Sequence, residues 1–580
     1  MATPVITESA RRKAHDFVEN ERQFQLGFLP TEQSNPITAT LEEDFRRSTL
    51  AGVQCLQRGD RQIPITMRHV FASPQFAKLV DSMVETLAAQ PRSPVTPQPR
   101  IVFSGCGATG RLSILLESMW RDFFHRRAAE LTPGELGLAD RSVSIMTGGD
   151  FALIRSVESF EDYAEGGYRQ AASLQVGEGD TFVAITEGGE TSSVLGTLRY
   201  AAEHGARCFL VFNNPAELLR AHLDRCREAI DNPKVTVIDL YCGSMSVAGS
   251  TRMQATSSEQ LLCSCAMEAA LCRVLPRLAK ETAADYTQAF ERLLSALESA
   301  DGRGMIAAGI DFEKEVYGAG GRITYLADRC MLDLFTDNTE RAPTFMIPPL
   351  RSSRERDLAQ SWAFVKNPLH PTEACWSEMM RRRPRCLEFT SEDARSLGMP
   401  QSVIDRPPLI KYADLLAYRI GNEPAPERIA GYPRAAAVTL RFADDTSGYL
   451  AAADRLASAW PERRAFDFSV LGSRLSELGS PLEIWRHLAV KLAFNCLSTG
   501  TMAAMGRISG NWMSWVSMSN KKLVDRCIRL LAELGGLPYR DAAERIFAAQ
   551  EWVRAQDWTG REEPSPVQVA LRQLGVEAGR

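Results

Sequence analysis

Short apolar runs alternate with longer stretches in which apolar residues recur every three or four positions, beginning near residue 100. Residues 101–103 form the first run, a glycine turn follows, and the period over residues 111–124 predicts an amphipathic helix. The apolar face of that helix carries Leu112, Leu115, Met119 and Phe123. Further strands are predicted at 142–146, 181–185 and 206–212, with a helix at 195–204. Strands that alternate with helices predict a parallel, doubly wound sheet of the α/β class.

The same pattern occurs a second time along the chain. A helix rich in Ala, Leu and Cys over residues 257–275 closes the first cycle. The second cycle has a strand at 322–326, a helix from Met331 and a strand at 437–440, and a long helix over 484–505 closes it. The sequence therefore predicts a duplicated α/β unit.

Breaker residues and composition predict where the domains begin and end. The expected units are an N-terminal arm at 1–45, a first α/β domain at 46–285, a second at 286–505 and a helical cap at 506–580. A proline-rich stretch at 91–99 (PRSPVTPQP) predicts a stiff linker within the first domain. The 580 residues suffice for several domains, because single cores rarely grow beyond ~300 residues.

Bulk composition favours an ordinary globular protein. The chain is 44% hydrophobic and 24% charged with a net charge of −5, and its basic residues are spread out, so nucleic acid is not an expected partner. The one dense basic run, at 381–385, is expected to be a solvated surface. No run of about eighteen apolar residues occurs and the N-terminus has no signal pattern, so no membrane association is expected.

Cysteine and histidine positions favour a cytoplasmic protein without a metal ion or another cofactor. The 13 cysteines are scattered and include no Cys-x-x-Cys pair, which is typical of reduced thiols. The 7 histidines include no His-x-x-x-His motif, and none stands beside a cysteine or a carboxylate cluster in the sequence. We therefore expect no metal site.

The turn after the first strand, residues 105–110 (GCGATG), has the composition of a phosphate-binding loop. A dinucleotide-binding protein would also carry an acidic residue about twenty positions further on. Here the second strand ends near Asp150, about twice that distance away, which favours a sugar phosphate over a nicotinamide cofactor. The corresponding turn of the second cycle, residues 327–330 (ADRC), has no glycine and two charged residues. The pocket is therefore predicted in the first domain.

Two further loops of the first domain combine glycine with hydroxyl residues: 186–193 (TEGGETSS) and 249–253 (GSTRM). Serine and threonine before a helix are more often caps than ligand contacts when such a loop is considered alone. Three such loops at the carboxyl edge of one sheet suit a ligand that is both a phosphate and a polyol.

Five motifs occur in the order seen in the family that joins glucokinase regulatory protein and bacterial N-acetylmuramic acid 6-phosphate etherase. They are 105–111 (GCGATGR), 158–162 (ESFED), 185–188 (ITEG), 249–253 (GSTRM) and 519–523 (SNKKL). The chain resembles that family from about residue 45 to 545, and its two-domain length is closer to the regulatory protein. The resemblance implies two tandem sugar-isomerase (SIS) domains, each a doubly wound parallel α/β sheet, with a C-terminal helical cap.

The resemblance also implies which residues bind the ligand. They are Gly107, Ala108, Thr109 and Gly110 of the first loop, Thr186, Glu187 and Gly188 of the second, and Glu161, Ser250 and Lys522. The expected ligand is a hexose phosphate such as fructose 6-phosphate or fructose 1-phosphate. A lysine from the cap would couple the charge of the ligand to domain closure.

The residues favour a sensor or regulator over an enzyme. The resemblance implies that the etherase reaction uses two carboxylates. One of these glutamates matches Glu161, and the other falls on Met119, whose thioether carries no proton. Glu117 lies two residues away, about 200° around the helix, and is expected to face elsewhere. The alternative is a sugar-phosphate enzyme, an etherase-like lyase or an aldose–ketose isomerase, with Glu161, Glu187 or Glu190 as base. Met119 outside the pocket, with another carboxylate at the reactive carbon, would favour catalysis, whereas an open pocket with only Glu161 would favour binding.

The protein partner stays open. In the regulatory protein a leucine pair after Trp-Pro contacts glucokinase, whereas here Trp460-Pro461 is followed by Glu462-Arg463-Arg464, which would not fill an apolar contact. A sugar kinase or another protein is the class of partner that the resemblance leaves. A monomer is expected, because the second domain could replace the second chain of single-domain relatives.

Overall fold

The structure is a computed structural model that describes residues 4–90, 97–155, 160–280, 285–399, 401–407, 410–558 and 562–576 of the chain. Most of the predicted linker at 91–99, and Glu158 and Ser159 of the second motif, lie outside these residues.

Two sheets, both entirely parallel, organise the described residues. The first has the strand order β2-β1-β3-β4-β5 and the second the order β7-β6-β8-β9. The strands are β1 Ile101–Gly105, β2 Ser142–Met146, β3 Thr181–Ile185, β4 Arg207–Phe212, β5 Val235–Asp239, β6 Arg322–Leu326, β7 Ala363–Lys366, β8 Ala435–Arg441 and β9 Glu462–Asp467. In both sheets the strand that comes first in the sequence is an inner strand, and the later strands lie on both sides of it. This arrangement confirms the predicted pair of doubly wound α/β units.

Helices surround both sheets and form the chain's two ends. Before β6 they are α1 Glu8–Asn20, α2 Leu41–Arg47, α3 Thr49–Asp60, α4 Ile63–Phe71, α5 Pro74–Ala88, α6 Ala108–Arg126, α7 Pro133–Leu136, α8 Ala164–Ser173, α9 Ser192–Glu203, α10 Ala216–His222, α11 Asp224–Ile230, α12 Gln254–Val274, α13 Tyr286–Leu297 and α14 Ala300–Gly318. After β6 they are α15 Met331–Phe345, α16 Thr372–Met380, α17 Ser391–Ser396, α18 Gln401–Asp405, α19 Tyr412–Leu416, α20 Ser447–Ala457, α21 Ser473–Ser476, α22 Ile484–Ala504, α23 Lys521–Gly535, α24 Tyr539–Arg554 and α25 Pro566–Gln573. Over the described residues, a helix of the length and apolarity needed to cross a membrane does not occur.

The two long helices α12 and α22 lie at the centre of the molecule. Nearly every residue of both is buried, and the two helices pack against each other. A helix that is buried on all sides carries small and apolar residues all round rather than a single stripe. The apolar stretches predicted at 257–275 and 484–505 therefore correspond to the core that joins the two domains.

The strands β5, β7 and β9 were not predicted. β9 is an edge strand that reads Glu462-Arg463-Arg464 at its start, and Arg463 and Arg464 are exposed. Charged side chains are typical of edge strands, because they discourage pairing with another chain. Such a strand lacks the apolar run or alternation on which sequence prediction rests, and β7 has only four residues.

The basic run at 381–385 is not the solvated surface that was predicted. The Arg382 side chain is 7% exposed and binds Glu117 at 2.9 Å and Asp150 at 2.5 Å. Arg385 also binds Glu117, at 2.6 Å. These two arginines belong to the second domain and the two carboxylates to the first. The run therefore forms a group of buried ion pairs between the domains, in which Arg382 and Arg385 bind Glu117 and Asp150, and which we call the clamp. Neither the low net charge of the chain nor the local sequence indicates it.

The N-terminal segment and the cap pack together. α1 packs on α24, and Glu551 of α24 accepts hydrogen bonds from Thr7, Ser9 and Lys13 at 2.6–2.7 Å. Further along the segment, Glu32 is 1% exposed and forms ion pairs with cap residues. The first residues of the chain therefore anchor the helical cap.

Candidate functional site

A cavity of about 200 Å³ lies at the carboxyl edge of the first sheet, where the first domain meets α15 of the second domain and α23 of the cap. This edge is where open parallel α/β sheets bind their ligands. Six residues predicted from the sequence line it: Gly107, Ala108, Glu161, Glu187, Ser250 and Lys522.

The glycine turn presents a helix N-terminus to the cavity. Gly107 has φ +57° and ψ −125°, a conformation that favours glycine, and α6 begins at the next residue. The Thr109 hydroxyl accepts from the Cys106 amide at 3.0 Å and donates to the Cys106 carbonyl at 2.9 Å, which holds the turn. Within the described residues, the amides of 107–110 have no protein acceptor. Such amides, at the positive end of the helix dipole, form a site for an anion.

Four predicted residues shape the loops without lining the cavity. Thr109 and Thr186 are buried, and the Thr186 hydroxyl bonds that of Thr191 at 2.9 Å. A side chain at Gly110 would collide with Met146, and the Gly188 carbonyl accepts from Asn214 at 2.9 Å. Their backbone or packing roles explain why these residue types occur there.

Ser250 is the clearest unused hydrogen-bonding group of the site. It is 4% exposed and lines the cavity, and its hydroxyl has no partner among the described residues. Gly249 before it has φ +77° and lies against Arg526 of the cap, so that a side chain there would strike the guanidinium. A buried hydroxyl without a partner is unfavourable unless a ligand or water satisfies it.

The cap reaches into the cavity through the first residues of α23. Asn520 caps this helix with its Oδ1 and donates through Nδ2 to Glu161 Oε1 at 2.8 Å. Lys522 Nζ lies 2.6 Å from Glu190 Oε1 and 3.8 Å from Glu32 Oε1. Burial by itself would raise the pKa of Glu190, but the adjacent Lys522 ammonium lowers it, so this pair is ionic.

Two other carboxyls of the cavity behave differently. Burial, together with the negative charge of Asp162, raises the pKa of Glu161 to about 7. Burial also raises the pKa of Glu187 to about 7, against the opposing effect of Lys522. Carboxyls with a pKa near neutrality can donate a hydrogen bond or exchange a proton at cellular pH.

The second domain completes the wall of the cavity. Glu340, Pro343 and Thr344 of α15 line it, and Glu340 forms an ion pair with the buried Arg111 of α6. Arg111 also donates to the Ala152 carbonyl at 2.9 Å. One chain therefore supplies a wall from each domain.

The two positions that decide the comparison with the etherase, Met119 and Glu117, lie outside the cavity. Met119 is 2% exposed and packs in the core. Glu117 faces away as expected, with Ser144 donating to it at 2.6 Å and the two clamp arginines bound to it. Neither side chain is placed to exchange a proton with a ligand in the cavity.

Sequence reasoning missed several lining residues. Asn520 stands inside the SNKKL motif and could have been found there. Arg252, which stands inside the GSTRM motif, is 3% exposed and pairs with Asp337 at 3.2 Å. Glu340 has no local signal, because it comes from a helix of the other domain.

Comparisons with known proteins agree with this fold. The family model of the glucokinase regulatory protein N-terminal SIS domain matches residues 78–202. The N-acetylmuramic acid 6-phosphate etherase of Glaesserella parasuis serovar 5 is 29% identical over 41% of this chain and 66% of its own length. The etherase of Caldanaerobacter subterraneus is 30% identical over 40% and 65%. The etherase of Yersinia pestis (strain Pestoides F) is 30% identical over 41% and 68%.

The matched sheet, loops and relatives define a SIS-domain protein. The chain belongs to the family of glucokinase regulatory protein and N-acetylmuramic acid 6-phosphate etherase. It spans slightly less than two thirds of the first two etherases, and a closer likeness to the regulatory protein stays a prediction.

Two solved structures are similar at a low level. Tagatose-6-phosphate ketose/aldose isomerase from Escherichia coli has a TM-score of 0.37 and 10% identity over 79% of this chain and 94% of its own. The C-terminal domain of glucosamine-fructose-6-phosphate aminotransferase from Francisella tularensis has a TM-score of 0.34 and 10% identity over 75% and 96%.

Proposed function

We propose that this chain is a sugar-phosphate sensor that binds a hexose phosphate in the cavity and responds through its cap. The observation that carries the proposal is the meeting, at one cavity, of the unused amides of the α6 N-terminus with the Lys522 ammonium of α23. The first belongs to the sheet domain and the second to the cap. A ligand that touches both would hold the two parts together.

In this proposal the phosphate lies on the amides of 107–110. The sugar hydroxyls bond Ser250 and Glu161, which accounts for the unpartnered Ser250 hydroxyl. Lys522 is shared between the ligand and Glu190, as expected for an ammonium with three donor hydrogens. Glu161 and Glu187, with pKa values near neutrality, add less negative charge than ionised carboxylates and so oppose the phosphate less.

The connection from the cavity to the N-terminal segment supports a signalling role. Glu32 lies 3.8 Å from Lys522 and 2.7 Å from both Arg526 and Arg529. A ligand that binds the Lys522 ammonium would change the electrostatic interactions within this buried cluster. Because Glu32 belongs to the segment that anchors the cap, a structural change at Glu32 on ligand binding would be transmitted through this segment to the outer surface.

The proposal is tested by the melting temperature of the full chain with fructose 6-phosphate, fructose 1-phosphate and N-acetylmuramic acid 6-phosphate, each recovered and analysed afterwards. At least one should raise the melting temperature and be recovered unchanged. Lys522→Met should weaken binding at least about 10-fold, because it keeps the stem and removes the charge. Lys521→Met is the matched control, since Lys521 is 46% exposed and pairs with Glu21 outside the cavity. Absence of stabilisation by every phosphate would contradict the proposal.

A second candidate function is acid–base turnover of the bound sugar phosphate, as in an aldose–ketose isomerase or an etherase-like lyase. The observations that favour it are the presence of Glu187, Glu190 and Glu340 beside Glu161 in the cavity and the position of Met119 in the core, outside that cavity. Two of these carboxyls, Glu161 and Glu187, have pKa values suited to proton transfer at neutral pH. Exchange of a carbon-bound sugar proton with deuterated water, lost in Glu187→Gln or Glu161→Gln, would establish this candidate and overturn the purely sensory role.

A further inference from the structure

A cluster of three unlike side chains lies at the carboxyl end of β6, and none of the three lines the cavity described above. It consists of Cys330 and Asp333 at the start of α15 and His487 in the first turn of α22. Within the described residues, this is the group of His, Cys, Asp and Glu side chains whose donor atoms all lie within 4.8 Å of one another. The cysteine and the histidine are more than 150 positions apart in the sequence, so no local motif announces them.

The backbone holds the cluster in a specific conformation. Cys330 has φ +58° and ψ 22°, the left-handed region that a residue with a side chain rarely adopts, at the N-cap of α15. Strain of this kind costs on the order of 1 kcal/mol and persists where the surroundings enforce it. Asp333 follows three positions later, which places both side chains on the same face of the helix start. The turn therefore presents a thiol and a carboxylate together toward His487.

The carboxylate has an unused oxygen. Asp333 Oδ2 lies 2.7 Å from His487 Nδ1, whereas Oδ1 is buried and has no partner among the described residues. Cys330 and Asp333 are each 7% exposed. A buried carboxylate oxygen without a partner is unfavourable, so a ligand that accepts its lone pair would be held there.

The neighbouring cations are engaged elsewhere. Arg486 donates both terminal nitrogens to Asp444, at 3.0 and 2.9 Å, and Arg329 binds Asp444 at 3.0 Å. Lys491 donates to the Thr256 hydroxyl at 2.8 Å. The positive charges nearest the cluster thus have partners of their own, and the thiol, carboxylate and imidazole are left to face one another.

We propose that Cys330, Asp333 and His487 bind a zinc ion at the end of the second sheet. Thiolate and imidazole donors favour zinc and similar transition ions over magnesium or calcium. A thiolate, one carboxylate and a neutral imidazole balance the charge of a divalent ion. Binding releases two protons to solvent, that of the Cys330 thiol and that of the His487 imidazolium shared with Asp333, and the hydrogen bond between these two residues is replaced by a bond from each to the metal. Three protein donors leave a fourth position of a tetrahedral site for water.

The test uses cobalt as a spectroscopic probe of the full chain after dialysis against a chelator. One equivalent of Co²⁺ per chain should produce the charge-transfer absorption of a cysteine thiolate bound to cobalt, and Zn²⁺ should abolish it by displacement. Cys330→Ser should lose this absorption, whereas Cys386→Ser, which removes a half-buried thiol elsewhere, should keep it. Asp333→Asn should weaken cobalt binding at least about 10-fold.

Zn²⁺ should also raise the melting temperature of the wild-type chain and leave that of Cys330→Ser unchanged. If Cys330→Ser does not fold, His487→Gln carries the same expectation. Absence of thiolate absorption at equimolar cobalt, or its persistence in a folded Cys330→Ser or His487→Gln variant, would overturn the proposal.

Discussion

At the end of β1 the chain enters α6 through Gly107 at φ +57°, and at the end of β6 it enters α15 through Cys330 at φ +58°. The first turn leaves its amides facing a cavity. In the second turn Arg329 binds Asp444, and the Asp328 carboxylate accepts a hydrogen bond from Asn367 at 2.8 Å. The duplicated unit has thus kept its sheet topology while the chemistry at the sheet end has diverged. A fold of this kind positions a site, but the turn residues decide what it binds.

The largest expected effect concerns the clamp, the group of buried ion pairs between the two domains. Glu117→Gln removes the negative charge that Arg382 and Arg385 share. Arg382 keeps its ion pair with Asp150, whereas the Arg385 guanidinium loses the carboxylate that it binds. We expect a loss of about 3 kcal/mol in the free energy of unfolding, as for a broken buried ion pair. Urea denaturation of the variant measures it.

The control for the clamp is Glu378→Gln. Glu378 binds Arg381 of the same basic run, but its side chain is 43% exposed. The expected change is below about 1 kcal/mol. Equal effects of the two variants would show that the clamp is no stronger than a surface pair, and that the second domain does not brace the first.

The next effect tests whether the open turn is an anion site. Ala108→Asp places a carboxylate in the first turn of α6, where it suits the helix dipole but repels a phosphate. We expect hexose phosphate affinity to fall by about 100-fold, from a repulsion on the order of 3 kcal/mol. Titration calorimetry of this variant beside Ala108→Asn, which is similar in size and uncharged, separates charge from bulk. Equal affinities of the two would place the phosphate elsewhere.

A smaller effect is expected at the unpartnered hydroxyl. Ser250→Ala should weaken the binding of the sugar phosphate about 10-fold, the effect of one lost hydrogen bond. It should not lower the melting temperature of the ligand-free chain, because the hydroxyl has no protein partner to lose. A fall in ligand-free stability would instead mean that Ser250 has a structural role.

A pH dependence also distinguishes the two sheet ends. Glu161 and Glu187 have pKa values raised to about 7, above the unfolded value of ~4.5, so the folded chain holds these protons more tightly. The free energy of unfolding should therefore fall as pH rises from about 5 to about 7. A Glu161→Gln, Glu187→Gln double variant should flatten this slope in thermal melts.

A matched acid at the other sheet end should behave in the opposite way. Arg486 hydrogen-bonds Asp444 and lowers the pKa of that carboxyl, so its contribution is lost only in acid, below the unfolded value. Asp444→Asn should leave the slope between pH 5 and 7 unchanged. A slope that the double variant keeps, or that Asp444→Asn removes, would contradict this assignment.

Much of this arrangement follows from the sequence, and the rest depends on contacts that cross it. The presence of β1 and β3, the long helices and the loops of the first domain follow from apolar runs and glycine–hydroxyl composition. Glu340 and the Arg382 clamp could not be predicted, because each acts across the domain interface with no local pattern. The same reason hid His487, whose cysteine and carboxylate neighbours come from another helix.

The most direct test of the central claim is a crystal structure of the full chain with fructose 6-phosphate or another hexose phosphate that stabilises it. We expect one ligand per chain, with its phosphate on the amides of residues 107–110 and its sugar within hydrogen-bonding distance of Ser250 and Lys522. A phosphate at the end of β6, or a ligand that leaves Lys522 untouched, would contradict it.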